Sequence, residues 1–251
     1  SHGIIIAAQS EQDAQRFRDL GAAPARTFVT GNIKFDVEID ESLAARGREF
    51  AAEYFPERRV WIAASTHAGE EEIVLAAHRR LLESVPDALL VLVPRHPERF
   101  PAVAGLIEEQ GLDYVQRTGG DRCRPETRVF LGDTMGELPL FYAASDIAFV
   151  AGSLVPVGGH NLLEPASLGL PILTGPHLFN AEDIAAMFAE RGASRVVADD
   201  AELAAALEEL FADEAARRDM GERARRLLLD NRGSLRSLLE LLEPLTRRFN
   251  A

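Results

Sequence analysis

The feature that most constrains the fold is an alternation of short apolar runs with longer amphipathic segments. Polar residues are almost absent from runs such as VWIAA, ALLVLV and IAFVAG, which is typical of parallel strands covered by helices on both faces. Segments with helical spacing of apolar residues separate them, for example EEEIVLAAHRRLLES. The alternation predicts an α/β fold, a doubly wound parallel sheet of the Rossmann-like kind, over residues 41 to about 235.

Composition narrows the class of protein. With 251 residues the chain can bury a sizeable core, and no apolar run approaches the length of a membrane span. The formal charge of −13 argues against nucleic acid as a partner, because phosphates would be repelled. The single cysteine excludes an internal disulfide, so we expect a soluble, cytoplasmic fragment.

The first 28 residues look like part of a larger unit. GIIIAA predicts one buried strand, and SEQDAQRFRDLGA predicts one helix with Ser10 as its N-cap. A single strand and helix cannot bury both faces of a sheet. This segment therefore predicts either further chain upstream or docking onto the main body.

Polar or glycine-rich groups follow four of the predicted strands. They comprise residues 65–67, 94–96, 133–137 and 158–164. Because ligands of open α/β sheets bind beyond the carboxyl ends of the strands, these groups predict one shared crevice.

Each group also has a simpler structural interpretation. Ser65 and Thr66 could cap the following helix, as could Asp133 and Thr134, and residues 95–97 could form a surface turn. The paired glycines could serve a turn alone. For His78 and His177, which lack such neighbours, we expect structural roles.

The stretch GGHNLLEP predicts nucleotide binding. Gly158 and Gly159 lack Cβ, so their N–H groups could approach a phosphate at the start of the next helix. Pro165 is tolerated only in a first turn, which leaves the carboxylate of Glu164 at the crevice for two ribose hydroxyls. The alternative is a capping pair between Glu164 and the backbone N–H of Asn161.

Arg95 completes this interpretation, since its guanidinium could donate charge-assisted hydrogen bonds to a phosphate or to a sugar-acid carboxylate. Other nucleotide and metal sites leave no trace in the sequence. There is no G-x-x-x-x-G-K-[ST] loop, no G-x-G-x-x-G after the first strand, and no C-x-x-C or H-E-x-x-H pattern. The residues favour a nucleotide site outside the P-loop and dinucleotide classes.

In these motifs the chain resembles the Kdo transferases, the 3-deoxy-D-manno-octulosonic acid transferases of lipid A assembly. The resemblance rests on VTGNIKFD, AASTHAGEEE, PRHPERF, GDTMGELPLFYAASDIAFVAGSL and GGHNLLEPA, in that order. It implies the C-terminal domain of a GT-B glycosyltransferase, with CMP-Kdo as donor and a lipid A precursor as acceptor. It also implies an inverting, metal-independent reaction of lipopolysaccharide biosynthesis, without a cofactor, at the cytoplasmic face of the inner membrane.

The resemblance implies roles for particular residues and segments. The implied donor-binding residues are Ser65, Thr66, His67, Pro94, Arg95, His96, Met135, Gly136, Glu137, Gly158, Gly159, His160, Asn161, Leu162, Leu163 and Glu164. Residues 1–28 correspond to the last βα unit of the acceptor domain, 29–40 to the interdomain linker, and 41–251 to the nucleotide-sugar binding domain with C-terminal helices.

The catalytic base and the membrane anchor belong to the upstream domain in that family, so no residue here is assigned as the base. We therefore expect a donor-binding half that is inactive alone, with membrane association only in the full-length protein. Two alternatives stay open: another GT-B enzyme using a UDP-sugar, as transferase or epimerase, and a non-catalytic nucleotide-binding or interaction module.

Overall fold

The computed structural model describes residues 4–38 and 40–247, with side chains through residue 244. The chain divides into two compact units, Ser1–Glu38 with Leu228–Ala251, and Ile39–Leu227. The elements, in chain order, are β1 (Ile6–Ala8), α1 (Glu11–Asp19), β2 (Thr27–Val29), α2 (Leu43–Tyr54), β3 (Arg59–Thr66), α3 (Glu70–Ser84), β4 (Ala88–Pro94), α4 (Phe100–Glu109), β5 (Tyr114–Gln116), β6 (Val129–Leu131), α5 (Leu138–Ala143), β7 (Ile147–Val150), α6 (Leu163–Ser167), β8 (Ile172–Thr174), α7 (Glu182–Glu190), β9 (Ser194–Val196), α8 (Asp200–Ala212), α9 (Glu214–Asp230) and α10 (Ser234–Arg247).

The larger unit is built on a seven-stranded sheet in the order β5-β6-β4-β3-β7-β8-β9, with every neighbouring pair parallel. In the central register Trp61 lies opposite Leu90 of β4 and Ile147 of β7. An α-helix connects each strand of this sheet to the next along the chain, except β5 and β6, which are joined by a loop that contains one 3-10 turn. The predicted doubly wound parallel sheet is confirmed.

Both faces of this sheet are buried. On one face Trp61 and Leu90 pack with apolar residues of α3, α4 and α8. On the other face Ile62, Val91 and Phe130 pack with aromatic residues of α2 and α5. Because successive strand residues point to opposite faces, the uninterrupted apolar runs of β3 and β4 contribute side chains to the apolar core on each face.

The smaller unit contains β1 and β2, which pair in parallel, and α1. Ser10 caps α1 as predicted, since its hydroxyl accepts the N–H of Asp13 at 3.1 Å.

Residues from Leu228 onward belong to this smaller unit, whereas the prediction placed them in the nucleotide-sugar binding domain. The reason is a contact between residues distant in sequence, which a local sequence pattern cannot predict. The carboxylate of Asp36 accepts the backbone N–H groups of Gly233 at 2.6 Å and Leu235 at 2.7 Å. These bonds tie the start of α10 to the segment that follows β2.

None of the helices within residues 4–38 and 40–247 combines the length and the apolar content that a membrane span requires.

Candidate functional site

A cavity of about 300 Å³ opens at the carboxyl ends of β3, β4, β6 and β7. This is the edge where open α/β sheets bind their ligands. Its lining comprises Ser65, Val93, Pro94, Arg95, Thr134, Met135, Gly136, Leu138, Tyr142, His160, Asn161 and Glu164.

The structure brings together part of the predicted set. The predicted residues that line the cavity are Ser65, Pro94, Arg95, Met135, Gly136, His160, Asn161 and Glu164. The predicted residues outside its lining are Thr66, His67, His96, Glu137, Gly158, Gly159, Leu162 and Leu163. All four predicted loops are nevertheless represented at one edge of the sheet.

The loops after β3 and β4 form one wall. Ser65 adopts a left-handed φ of 62°, where the pairing of β3 with β4 shifts register between Ala64 and Thr66. Such a backbone conformation is unfavourable for a residue with a side chain and is often found at functional sites. The N–H of Arg95 donates to the carbonyl of Thr66 at 3.0 Å, which joins the two loops.

The guanidinium of Arg95 is exposed at this wall. Among the residues that the structure describes, none forms a hydrogen bond or an ion pair with it. All five of its donors are therefore free for a ligand anion.

The loop before α5 forms a second wall, through Met135 and Gly136. A Cβ added to Gly136 would meet only open space, so the backbone here is accessible to a ligand. Met135 is 61% exposed and offers an apolar surface beside it.

Glu137 lies near this wall but is already paired. Its carboxylate accepts two nitrogens of Arg117, at 2.9 and 3.0 Å, and the hydroxyl of Thr134 at 2.6 Å. The bond from Arg117 is the main reason that the pKa of Glu137 lies below its ordinary value. The carboxylate holds in place the loop that presents Met135 and Gly136, and Glu137 is not part of the cavity lining.

The third wall is the segment 160–164. Asn161 accepts the N–H of Leu163 at 3.0 Å and donates from its side-chain amide to Glu164 at 3.2 Å. The alternative capping pair, Glu164 with the backbone N–H of Asn161, is absent from the described residues. Leu162 and Leu163 are buried and belong to the core.

Tyr142 lines the cavity from α5 and was not predicted. Burial, together with the nearby carboxylate of Glu164, raises the pKa of its hydroxyl well above the ordinary value. In the sequence it reads as an ordinary core residue of a short helix, LPLFYA, so nothing there marked it as part of the site.

The role expected of the paired glycines is wrong, although both have positive φ, 110° for Gly158 and 77° for Gly159. Their N–H groups both donate to the carbonyl of Gly152, at 3.0 and 2.7 Å, and are not free for a phosphate. The space left by their missing Cβ atoms is occupied by side chains of residues 178–180. The alternative interpretation, turn glycines, is the one the structure supports.

One histidine, His160, lines the cavity, and two others, His67 and His96, lie beside it. The Nε2 atoms of His67 and His160 are 2.8 Å apart, and the ring of His96 lies 5.3 Å from that of His67. Burial lowers the pKa of His67 and lowers that of His160 to about 4. At neutral pH burial therefore favours the uncharged form of both imidazoles.

A buried glutamate fixes the two loops that carry this pair. The carboxylate of Glu70 accepts the backbone N–H groups of His67, Gly152, Ser153 and Leu154 at 2.7 to 3.2 Å. Sequence reasoning missed this role, because an acid in the first turn of a helix is ordinarily explained by the helix dipole.

The two histidines expected to be structural lie outside the cavity. His78 is fully buried, accepts the indole N–H of Trp61 at 3.1 Å, and lies 2.8 Å from the carbonyl of Arg128. Burial lowers its pKa to about 3. The backbone N–H of His177 donates to the carbonyl of Ser153. Within the described ranges no group of three His, Cys, Asp or Glu residues is arranged to hold a metal ion.

A doubly wound parallel sheet with a small polar cavity at its carboxyl edge is the architecture of the nucleotide-binding half of a GT-B glycosyltransferase. Residues 57–227 match the family described as glycosyl transferases group 1, and residues 3–37 match the family of 3-deoxy-D-manno-octulosonic-acid transferases (kdotransferases). The chain belongs to the group 1 glycosyl transferases and, within them, to the Kdo transferases.

Individual relatives agree with this assignment. The 3-deoxy-D-manno-octulosonic acid transferase of Haemophilus influenzae is 42% identical over 97% of this chain and 57% of its own length. The C-terminal CMP-Kdo binding domain of WaaA from Acinetobacter baumannii is 34% identical, with a TM-score of 0.71 over 75% of this chain and 99% of that domain. Anabaena HepE, solved with UDP and glucose, shares the fold at 16% identity, with a TM-score of 0.60 over 96% of this chain and 62% of its own.

The chain spans somewhat more than half the length of the curated relatives it matches. The resemblance to the Kdo transferases and the predicted GT-B fold are confirmed.

Proposed function

We propose that this chain is the donor-binding half of a Kdo transferase and that its cavity binds the CMP portion of CMP-Kdo. One observation carries the proposal. Arg95, Gly136 and Glu164 meet in a single cavity, in a chain of which 75% is similar to a solved CMP-Kdo binding domain that it covers over 99% of that domain's length.

The cavity suits a nucleotide in size and chemistry. Its volume, about 300 Å³, lies at the lower end of the range for small-molecule sites, so it accommodates a nucleotide more readily than a whole nucleotide sugar. Glu164, half-buried and oriented by Asn161, can accept two adjacent ribose hydroxyls. Arg95 can donate to the phosphate, and the open backbone at Gly136 allows close approach.

The whole protein would carry out an inverting displacement. A hydroxyl of a lipid A precursor attacks the anomeric carbon of Kdo, a carboxylate outside this chain takes its proton, and CMP leaves. Negative charge develops on the departing phosphate, where Arg95 would stabilise it. This chain alone would bind the donor without transferring the sugar. The full-length enzyme would act at the cytoplasmic face of the inner membrane, in lipopolysaccharide biosynthesis, without metal or cofactor.

Calorimetric titration with CMP tests the assignment of the cavity. Arg95→Ala and Glu164→Ala should each weaken CMP binding about 10- to 100-fold, since a hydrogen bond to a charged group contributes about 1.5–3 kcal/mol. Arg191→Ala and Glu182→Ala are matched controls, because both side chains are exposed and lie outside the cavity.

If Arg95→Ala and Glu164→Ala bind CMP as tightly as the unchanged chain does, the assignment of this cavity as the CMP site is wrong. Tighter binding of UDP than of CMP would favour the alternative of a GT-B enzyme that uses a UDP-sugar. A chain that binds neither nucleotide would favour a non-catalytic interaction module.

A further inference from the structure

We propose that His67, His160, His96 and Arg95 form an anion subsite beside the cavity, which receives the carboxylate of the acidic sugar and takes up a proton in doing so. The inference rests on the proposed function, because the sugar it concerns is attached to the nucleotide assigned to the cavity. It adds a specificity-determining role for His67, His96 and His160, to which the proposed function assigns no contact with the nucleotide.

The geometry begins with a direct contact between two imidazoles. His67 follows β3 and His160 precedes α6, and their Nε2 atoms are 2.8 Å apart with the ring planes within 6° of each other. In such a contact one nitrogen donates its proton and the other accepts with its lone pair. The pair therefore holds one proton between the two rings.

The protein positions this pair with its backbone. Glu70 accepts the N–H of His67 at 3.2 Å and the N–H of Gly152 at 2.7 Å, which fixes the two loops against each other. Gly152 has a φ of 70°, and a Cβ there would come within 2.8 to 2.9 Å of the ring of His160. A glycine at 152 is thus what makes room for the imidazole of His160.

One fixed positive charge near the pair, the guanidinium of Arg95, lacks a counter-ion among the described residues. The groups that face it are Glu70 of α3 and Arg95, His96 and Arg99 from the loop and turn after β4. The oxygens of Glu70 are taken up by backbone N–H groups, and Arg99 pairs with Glu71 at 2.9 Å. The guanidinium of Arg95 has no hydrogen-bond or ion-pair partner among the described residues, and a carboxylate oxygen of Glu98 lies 3.9 Å from the ring of His96.

Location favours the carboxylate of the sugar over the phosphate. Arg95 and His160 line the nucleotide cavity, whereas His67 and His96 lie beyond its lining. The cluster thus extends from the cavity outward, and the cavity itself has little volume beyond a nucleotide. A sugar attached to the phosphate continues into the region of the cluster.

An arriving carboxylate changes the protonation of the pair. Burial keeps both imidazoles neutral, with the pKa of His160 at about 4. A nearby negative charge raises the pKa of an imidazole, so a proton from water binds the free Nδ1 of the ring that donates. The N–N hydrogen bond survives one added proton, but a second would place N–H groups on both facing nitrogens.

Calorimetric titration at about pH 7 in two buffers of different ionisation enthalpy, HEPES and Tris, measures protons taken up on binding. The probes are CMP, which gives the baseline including titration of its own phosphate, and freshly prepared CMP-Kdo. Binding of CMP-Kdo should be accompanied by the uptake of as much as about one proton more than binding of CMP. The affinity for CMP-Kdo should fall by as much as about tenfold per pH unit above neutrality, as linkage requires.

His67→Gln should abolish the additional uptake, since glutamine cannot titrate, and His177→Gln, outside the cavity, should retain it. His96→Gln is a second variant at an exposed position, and it should reduce the preference for CMP-Kdo over CMP. Thermal unfolding of each variant verifies that it is folded.

Each other result overturns a defined part of the inference. Equal proton uptake with CMP and CMP-Kdo that His67→Gln abolishes for both ligands would assign the cluster to the phosphate and overturn the carboxylate. Equal uptake that His67→Gln leaves unchanged, or additional uptake with CMP-Kdo that persists in His67→Gln, would overturn the subsite, while binding of CMP would still support the proposed function. Failure of both ligands to bind would remove the proposed function itself.

Discussion

At the scale of single residues, Glu70 shows how a buried charge can be satisfied without a counter-ion. Its side chain is fully buried, and backbone N–H groups from two loops surround the carboxylate. Bonds from several donors to one anion offset its desolvation. The loops that carry His67 and His160 are thereby fixed relative to the sheet.

Glu70→Gln tests this role. The substitution keeps the shape but replaces one acceptor oxygen with an NH₂ group that faces N–H donors, so we expect a loss of about 2–4 kcal/mol in the free energy of unfolding. Urea unfolding measures it. Glu72→Gln, an exposed neighbour in the same helical turn, should change the free energy by no more than about 0.5 kcal/mol. Equal urea midpoints for the two variants would contradict the assigned role.

At the scale of elements, helix α2 packs against α5 and thereby fixes the position of one wall of the cavity. Gly47 of α2 lies so close to α5 that an added Cβ would come within 2.3 to 2.5 Å of Ala143 atoms. The same short helix carries Tyr142, which lines the cavity. The position of this wall therefore depends on a close helix contact that only glycine permits.

Gly47→Ala should force α2 and α5 apart and destabilise the chain by about 1–3 kcal/mol, despite the higher helix propensity of alanine. Gly105→Ala in α4 is the matched control, since a Cβ there meets no atom within 4 Å and the change should stabilise by as much as about 1 kcal/mol. Thermal unfolding of both variants measures the difference. Shifts in the same direction would show that the helix contact has no such constraint.

At the scale of the whole molecule, the sequence predicts the parallel sheet well because of β3, β4 and β7. Strands buried on both faces lack polar alternation, and the helices between them carry their own periodicity. The edge that holds the cavity follows from this order, since the carboxyl ends of parallel strands meet there.

What could not be predicted depends on contacts between residues distant in sequence. The guanidinium of Arg117 donates to the carboxylate of Glu137, 20 residues further along the chain. The carbonyl of Gly152 accepts the N–H groups of Gly158 and Gly159. Asp36 binds the start of α10 across 199 residues, at Leu235. A local pattern shows which residue types are available, but not which partner takes them.

The central claim is that CMP occupies the cavity between Arg95, Gly136 and Glu164. A crystal structure of the chain soaked with CMP tests it most directly. We predict density for the nucleotide in this cavity, with its phosphate within hydrogen-bond distance of Arg95 and its ribose hydroxyls within hydrogen-bond distance of Glu164. Density for CMP at another surface, such as the groove of about 1060 Å³ along α10, with this cavity empty, would contradict it.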